Sequence, residues 1–130
     1  MNTDVMRDTL HASENGQRTF PQVIQALTAV GVESYHADFV RAEDTFYLLN
    51  GQTHIEKMKL PATAIAENFS PEPLVETIRA VQADQIRYPD FLPRAMAAGT
   101  TGYWVYLTGR KIVYFGRKGE LHVEHFPARP

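Results

Sequence analysis

The chain has no cysteine, which removes disulfides, thiolate metal sites and thiol nucleophiles together and agrees with a reducing compartment. It also lacks any apolar run of the ~20 residues that a membrane-crossing helix needs. Residues Met1 to Ser13 carry Asp4, Arg7 and Asp8 where a secretory signal would be apolar. A cytoplasmic protein with no membrane partner is therefore expected. Charge of one sign is scarce as well: the net charge is −2, divided as −4 over residues 1–68 and +2 over residues 69–130. A nucleic-acid partner would call for a concentrated basic surface, so none is expected. Phosphate-binding loops, dinucleotide fingerprints, zinc knuckles and hydrolase elbows are all missing.

What remains is a chain of 130 residues, 44% of them hydrophobic, enough for one shared core but too little for two independent ones. Shifted against itself by 68 residues without a gap, the sequence aligns 20–58 with 88–126. The identities are Pro21/Pro89, Ala29/Ala97, Gly31/Gly99, Tyr35/Tyr103, Gly51/Gly119, His54/His122 and Glu56/Glu124. Conservative pairs such as Phe20/Tyr88, Phe46/Tyr114 and Ile55/Val123 fall between them. The reading is a single domain, 1–130, made of two repeats at about 1–61 and 69–130.

The matched residues have local physical meaning. Proline falls near a helix start and glycine just past a helix end in both copies, and Thr19 with Gln22 has capping-box spacing. Val23, Ile24, Leu27 and Val30 recur at helical period, as do Phe91, Leu92, Ala95 and Met96. Pro93 predicts a late start or a kink in the second of these helices. Beyond each glycine the period becomes alternating: Tyr35, Ala37 and Phe39 against Tyr103, Val105 and Leu107. Second strands follow at about Asp44–Leu49 and Lys111–Gly116, and third strands at Gln52–Met58 and Glu120–Phe126. Asn50-Gly51 reads as a hairpin turn with positive φ at both residues. A further helix precedes each unit, at Asp4–Glu14 and Glu72–Ala83, the latter capped near Ser70. Residues 59–71 form the connection, with a helical turn expected at Ala62–Glu67. The predicted fold class is α+β: an ααβββ unit, duplicated with a pseudo-twofold, its helices packed on an antiparallel or mixed sheet.

Chemistry is confined to a few titratable pairs. His54 and Glu56 point one way from their strand, as do His122 and Glu124. If the third strands met, two imidazoles and two carboxylates would suit a divalent metal such as Zn²⁺; hydrogen-bonded surface pairs inherited from one ancestral unit are the plainer account. His36 and Asp38 form another i, i+2 pair, whose counterparts are Trp104 and Tyr106. That combination fits a ligand pocket with polar groups and apolar walls, or an aromatic seam at a contact between copies.

The runs Val32–Arg41, containing Tyr35-His36-Ala37-Asp38, and Gly102–Tyr106 through Gly116–Pro127, containing His122-Val123-Glu124-His125-Phe126-Pro127, resemble the YbcV-like family of bacterial and phage-associated proteins. That family is of unknown function and is sometimes labelled phage envelope protein. The resemblance spans about Phe20 to Pro127 and implies no activity for any residue. Two readings follow. The first is a binding or protein-interaction domain, homo-oligomeric or joined to another protein, through a sheet edge or the face around Trp104 and Tyr106. The alternative is a small enzyme using His36, Asp38, His54, Glu56, His122 or Glu124 at the junction of the repeats, which requires three or more of them in one cleft.

Overall fold

The 68-residue offset reappears at every element boundary of the computed structural model, which describes residues 1–127. Helices α1 (Thr3–Glu14) and α2 (Phe20–Ala29) lead into strands β1 (Val32–Asp38), β2 (Glu43–Leu48) and β3 (Thr53–Lys57). Helices α3 (Pro71–Gln82) and α4 (Tyr88–Ala97) then lead into β4 (Thr100–Tyr106), β5 (Lys111–Gly116) and β6 (Leu121–His125). Positive φ, a demand set by the backbone rather than by composition, repeats in the same way. Among the described residues it occurs at Gly16/Asp84, Gly31/Gly99, Ala42/Arg110 and Gly51/Gly119, every pair 68 apart. These regularities are consistent with duplication of an ααβββ unit.

The six strands form one sheet in the order β3-β2-β1-β4-β5-β6, antiparallel throughout. The copies are joined through β1 and β4, where His36 lies opposite Trp104, Ser34 opposite Tyr106 and Asp38 opposite Gly102. A shift of 68 carries this register onto itself, so the pseudo-twofold passes between His36 and Trp104. Strand alternation turns Tyr35, Ala37, Phe46, Tyr103, Val105 and Tyr114 toward the helices. There they form one core with Met6, Leu27, Leu74 and Ala95 from the four helices. The helices cover one face of the sheet and leave the other open.

Local expectations fare unevenly. The capping box on α2 forms, with Thr19 N donating to Gln22 Oε1 at 2.8 Å and Gln22 N to Thr19 Oγ1 at 3.4 Å. Ser70 occupies the N-cap of α3, but its hydroxyl makes no capping bond. Helix α4 contains Pro93 yet begins at Tyr88, in step with Phe20 of α2; the bond that Pro93 forgoes is to the carbonyl of Pro89, near the helix start. At Asn50-Gly51 only Gly51 has positive φ, because Gly51 N closes a turn on Leu48 O and Leu48 N then bonds Gln52 O, both at 2.9 Å. This is a turn followed by a left-handed glycine rather than a two-residue mirror turn. Ala62–Glu67 forms no helix. The connection is held instead by the second copy: Ala66 N donates to Met96 O at 3.0 Å and Ser70 N to Ala98 O at 2.7 Å.

Candidate functional site

The open face is organised around the pseudo-twofold. Its middle row runs Ile55, Thr45, His36, Trp104, Val113, Val123, one residue from each strand in sheet order. No carboxylate, lysine or arginine interrupts it. The His36 ring stacks on Trp104 at 4.8 Å with 8° between planes, and Tyr106 also stacks on Trp104, at 5.8 Å and 14°. Tyr47 reaches over Ser34 to within 5.3 Å of Trp104, and Phe115 reaches over Gly102 to within 5.6 Å of His36. Ser34 and Gly102 are 68 apart, as are Tyr47 and Phe115, so one construction is used twice: a small residue on β1 or β4 lets a ring from the neighbouring strand lie across it. Gly102 is required for a second reason, since a Cβ there would stand 2.4 Å from the carbonyl oxygen of Ala37.

Burial lowers the pKa of His36, against the opposing pull of the Asp38 and Glu43 carboxylates. Its Nε2 is buried without a hydrogen-bond partner. A neutral ring flat on an indole is a packing element here. Asp38 is occupied locally, its Oδ1 accepting from Val40 N at 2.9 Å and Arg41 N at 3.0 Å. It shapes the turn after β1 and has no lone pair to spare on that oxygen for chemistry.

The two H-x-E pairs lie on the helix-covered side, half-buried, each closed by its own hydrogen bond: His54 Nε2 to Glu56 Oε1 at 2.7 Å and His122 Nε2 to Glu124 Oε2 at 2.6 Å. Glu124 also pairs with Arg79 Nη1 at 2.5 Å. Burial works against its charge, but Arg79 and His122 prevail and hold its pKa below the ordinary carboxyl value. The pairs do not meet. β3 and β6 are the opposite edges of the sheet, five strand spacings of ~4.8 Å or ~24 Å apart. Among the described residues no group of three or more His, Cys, Asp or Glu gathers closely enough to hold a metal. Zn²⁺ is therefore expected to shift the melting temperature of the wild type no more than that of a His54→Ala/His122→Ala variant; a shift confined to the wild type would mean that a pair recruits ligands from elsewhere.

The arrangement thus unites His36, Trp104 and Tyr106 on one surface and leaves His54/Glu56 and His122/Glu124 on two others. Sequence reasoning missed that Tyr47 and Phe115 complete the aromatic cluster. The signal was present in Ser34 and Gly102, small residues at equivalent positions on the two innermost strands.

Fold and face define a class: a two-layer α+β domain of duplicated pattern, with helices on one side of a six-stranded sheet and an aromatic surface on the other. Residues 8–125 match the model of a family described as protein of unknown function (DUF1398), and the chain belongs to that family. No curated protein matches it. Among the described residues, no helix is long and apolar enough to cross a membrane.

Proposed function

We propose that the chain is a binding module that pairs with a second copy through its helix-free sheet face. The carrying observation is the uncharged middle row, which runs from edge to edge with Ile55 55% and Val123 41% exposed at its ends. Leu121, 64% exposed on β6, extends it. Lys57, Glu43 and Asp38 lie to one side of the row and Lys111 and His125 to the other, giving an apolar centre with a charged rim. A patch centred on a pseudo-twofold and free of charge along its middle is suited to meet its own image, as an isologous contact requires. Six strands at ~4.8 Å and five residues at ~3.3 Å outline about 500 Å². With side-chain relief, that is of the order of the roughly 800 Å² per partner in stable interfaces. The narrower likeness to YbcV-like proteins belongs with this proposal and adds no activity to it.

Sedimentation is expected to give twice the 14.7 kDa chain mass, and Val123→Lys, at an exposed edge position, to weaken pairing at least tenfold without lowering the melting temperature of the monomer. Trp104 is the sole tryptophan, so iodide quenching of its fluorescence should fall as concentration rises. A monomer at high concentration ends the proposal. So does a dimer in which Trp104 remains quenchable and Val123→Lys has no effect, because that pairing would use another surface.

A further inference from the structure

The two copies carry the same cleft between helices and sheet, packed nearly closed by side chains in one and left roomy in the other. Leu10, Ser13 and Phe46 line the first; their counterparts 68 residues on, Ile78, Val81 and Tyr114, line the second. The first encloses about 20 Å³, room for a single water. The second has about 370 Å³, within the range of small-molecule sites, and opens to solvent beside the exposed Pro21 and Gln82.

The difference follows from helix placement. α1 packs on α2 and also approaches α4 and β3, whereas α3 packs on α4 without an equally close approach to α2 or β6. Protein interiors seldom leave spaces larger than a water. A space of this size in one copy, with its equivalent shut in the other, is a property of the second copy and not of the fold they share.

Its lining specifies an occupant. Ile112 stands where the closed cleft has Asp44, and with Ile78, Val81 and Phe91 it makes the wall apolar. The Tyr88 and Tyr103 hydroxyls, 2.8 Å apart, bond one another at the boundary between the two clefts. At the rim, Arg87 is paired with Asp84 at 2.8 Å and Glu124 with Arg79. Arg18 differs: its Nη1 donates to the Thr9 hydroxyl at 3.0 Å, and among the described residues no carboxylate lies within ion-pair distance of it. A half-buried cation beside an apolar cavity attracts an anion that brings its own apolar body.

We propose that the open cleft binds a small amphipathic monoanion, an aromatic ring or short branched chain ending in a carboxylate-like group, with the anion on Arg18. Two dyes of one skeleton test this: anilinonaphthalene sulfonate, and phenylnaphthylamine, which lacks the sulfonate. The wild type is expected to bind the sulfonate one-to-one with a rise in fluorescence and in melting temperature. Arg18→Gln should weaken the sulfonate roughly tenfold, the loss of one charge-assisted bond, and leave the neutral dye within twofold. Val81→Trp should weaken both at least tenfold by filling the space. Gln82→Trp, at the exposed mouth, provides the same test without touching the packed wall should Val81→Trp fail to fold. The proposal is overturned by a wild type that binds neither dye, by binding that survives a folded filling variant, or by equal losses of both dyes in Arg18→Gln.

Discussion

Asp44→Asn should stabilise the protein at neutral pH. Asp44 is the first of β2's helix-facing residues, ahead of Phe46 and Leu48, at 2% exposure, and neither carboxyl oxygen has a hydrogen-bond partner. Burial, and to a lesser extent the nearby Glu14 carboxylate, raises its pKa well above the ordinary 3.8. The folded chain therefore keeps a proton that the unfolded chain releases once the pH exceeds 3.8. Where the folded state binds more protons, stability falls as pH rises, so the ionisation of this side chain costs nothing below the unfolded pKa and progressively more above it. Asparagine has the same shape, pays the same price as the neutral acid for an unbonded polar end, and does not titrate. The expected gain at pH 7 is at least about 1 kcal/mol, because each pH unit over which only the folded state holds the proton is worth ~1.4 kcal/mol, and it should shrink toward zero as pH falls below 4.

The comparison must be made between the two proteins at each pH. Glu124 contributes the opposite trend, because its depressed pKa supplies stability that is lost on acidification; it does so equally in both proteins and cancels in the difference. Urea titrations across pH provide the measurement. A variant less stable than wild type at pH 7, or a difference that does not vary with pH, would show that Asp44 has a partner in solution and is ionised in the fold.

Asp44 also marks where sequence reasoning ends. Aspartate opening a strand reads as a solvated end, and only the alternation of β2, with Phe46 and Leu48 also inward, reveals that the first position is already in the core. The ααβββ pattern was legible because its signals are local: glycine at a left-handed φ past α2 and α4, proline in the first turn of each, and a change from helical to alternating period beyond the glycine. Strand order was not. A duplicated unit has two ways to join, through its first strands or its third, and the pairing that places His36 against Trp104 is decided by packing between residues far apart in sequence. The H-x-E pairs were correctly read as pointing the same way from their strands. Alternation, however, fixes sides only relative to one another, and here Leu121 and Val123 face the open surface while His122 lies against Tyr114, ring centres 6.3 Å apart, on the helix side. The difference in size between the two clefts could not be foreseen at all, because it lies in how far α3 stands from its neighbours.

The same contrast between twin positions gives the largest expected loss. Gly31 and Gly99 end α2 and α4 with φ of +85° and +87°, and both suffer the left-handed penalty of about 1–2 kcal/mol when a Cβ is added. Gly31→Ala should cost about that and no more, since nothing lies within 4 Å of the new atom. At Gly99 the Cβ would stand 2.2 Å from the carbonyl oxygen of Asn68 and 2.9 Å from Phe69 Cα. That backbone is tied down on both sides, by Ser70 N to Ala98 O at 2.7 Å and by Ala66 N to Met96 O at 3.0 Å. Relief of the clash must break or bend these bonds, so Gly99→Ala is expected to cost at least about 4 kcal/mol, in the range reserved for specific structural failures. Denaturant midpoints measure both costs. Amide exchange at Ala66 and Ser70 locates the second, because the connection between the copies should lose protection in Gly99→Ala and keep it in Gly31→Ala. Equal costs at the two glycines would mean that the connection yields freely and does not clamp the second copy.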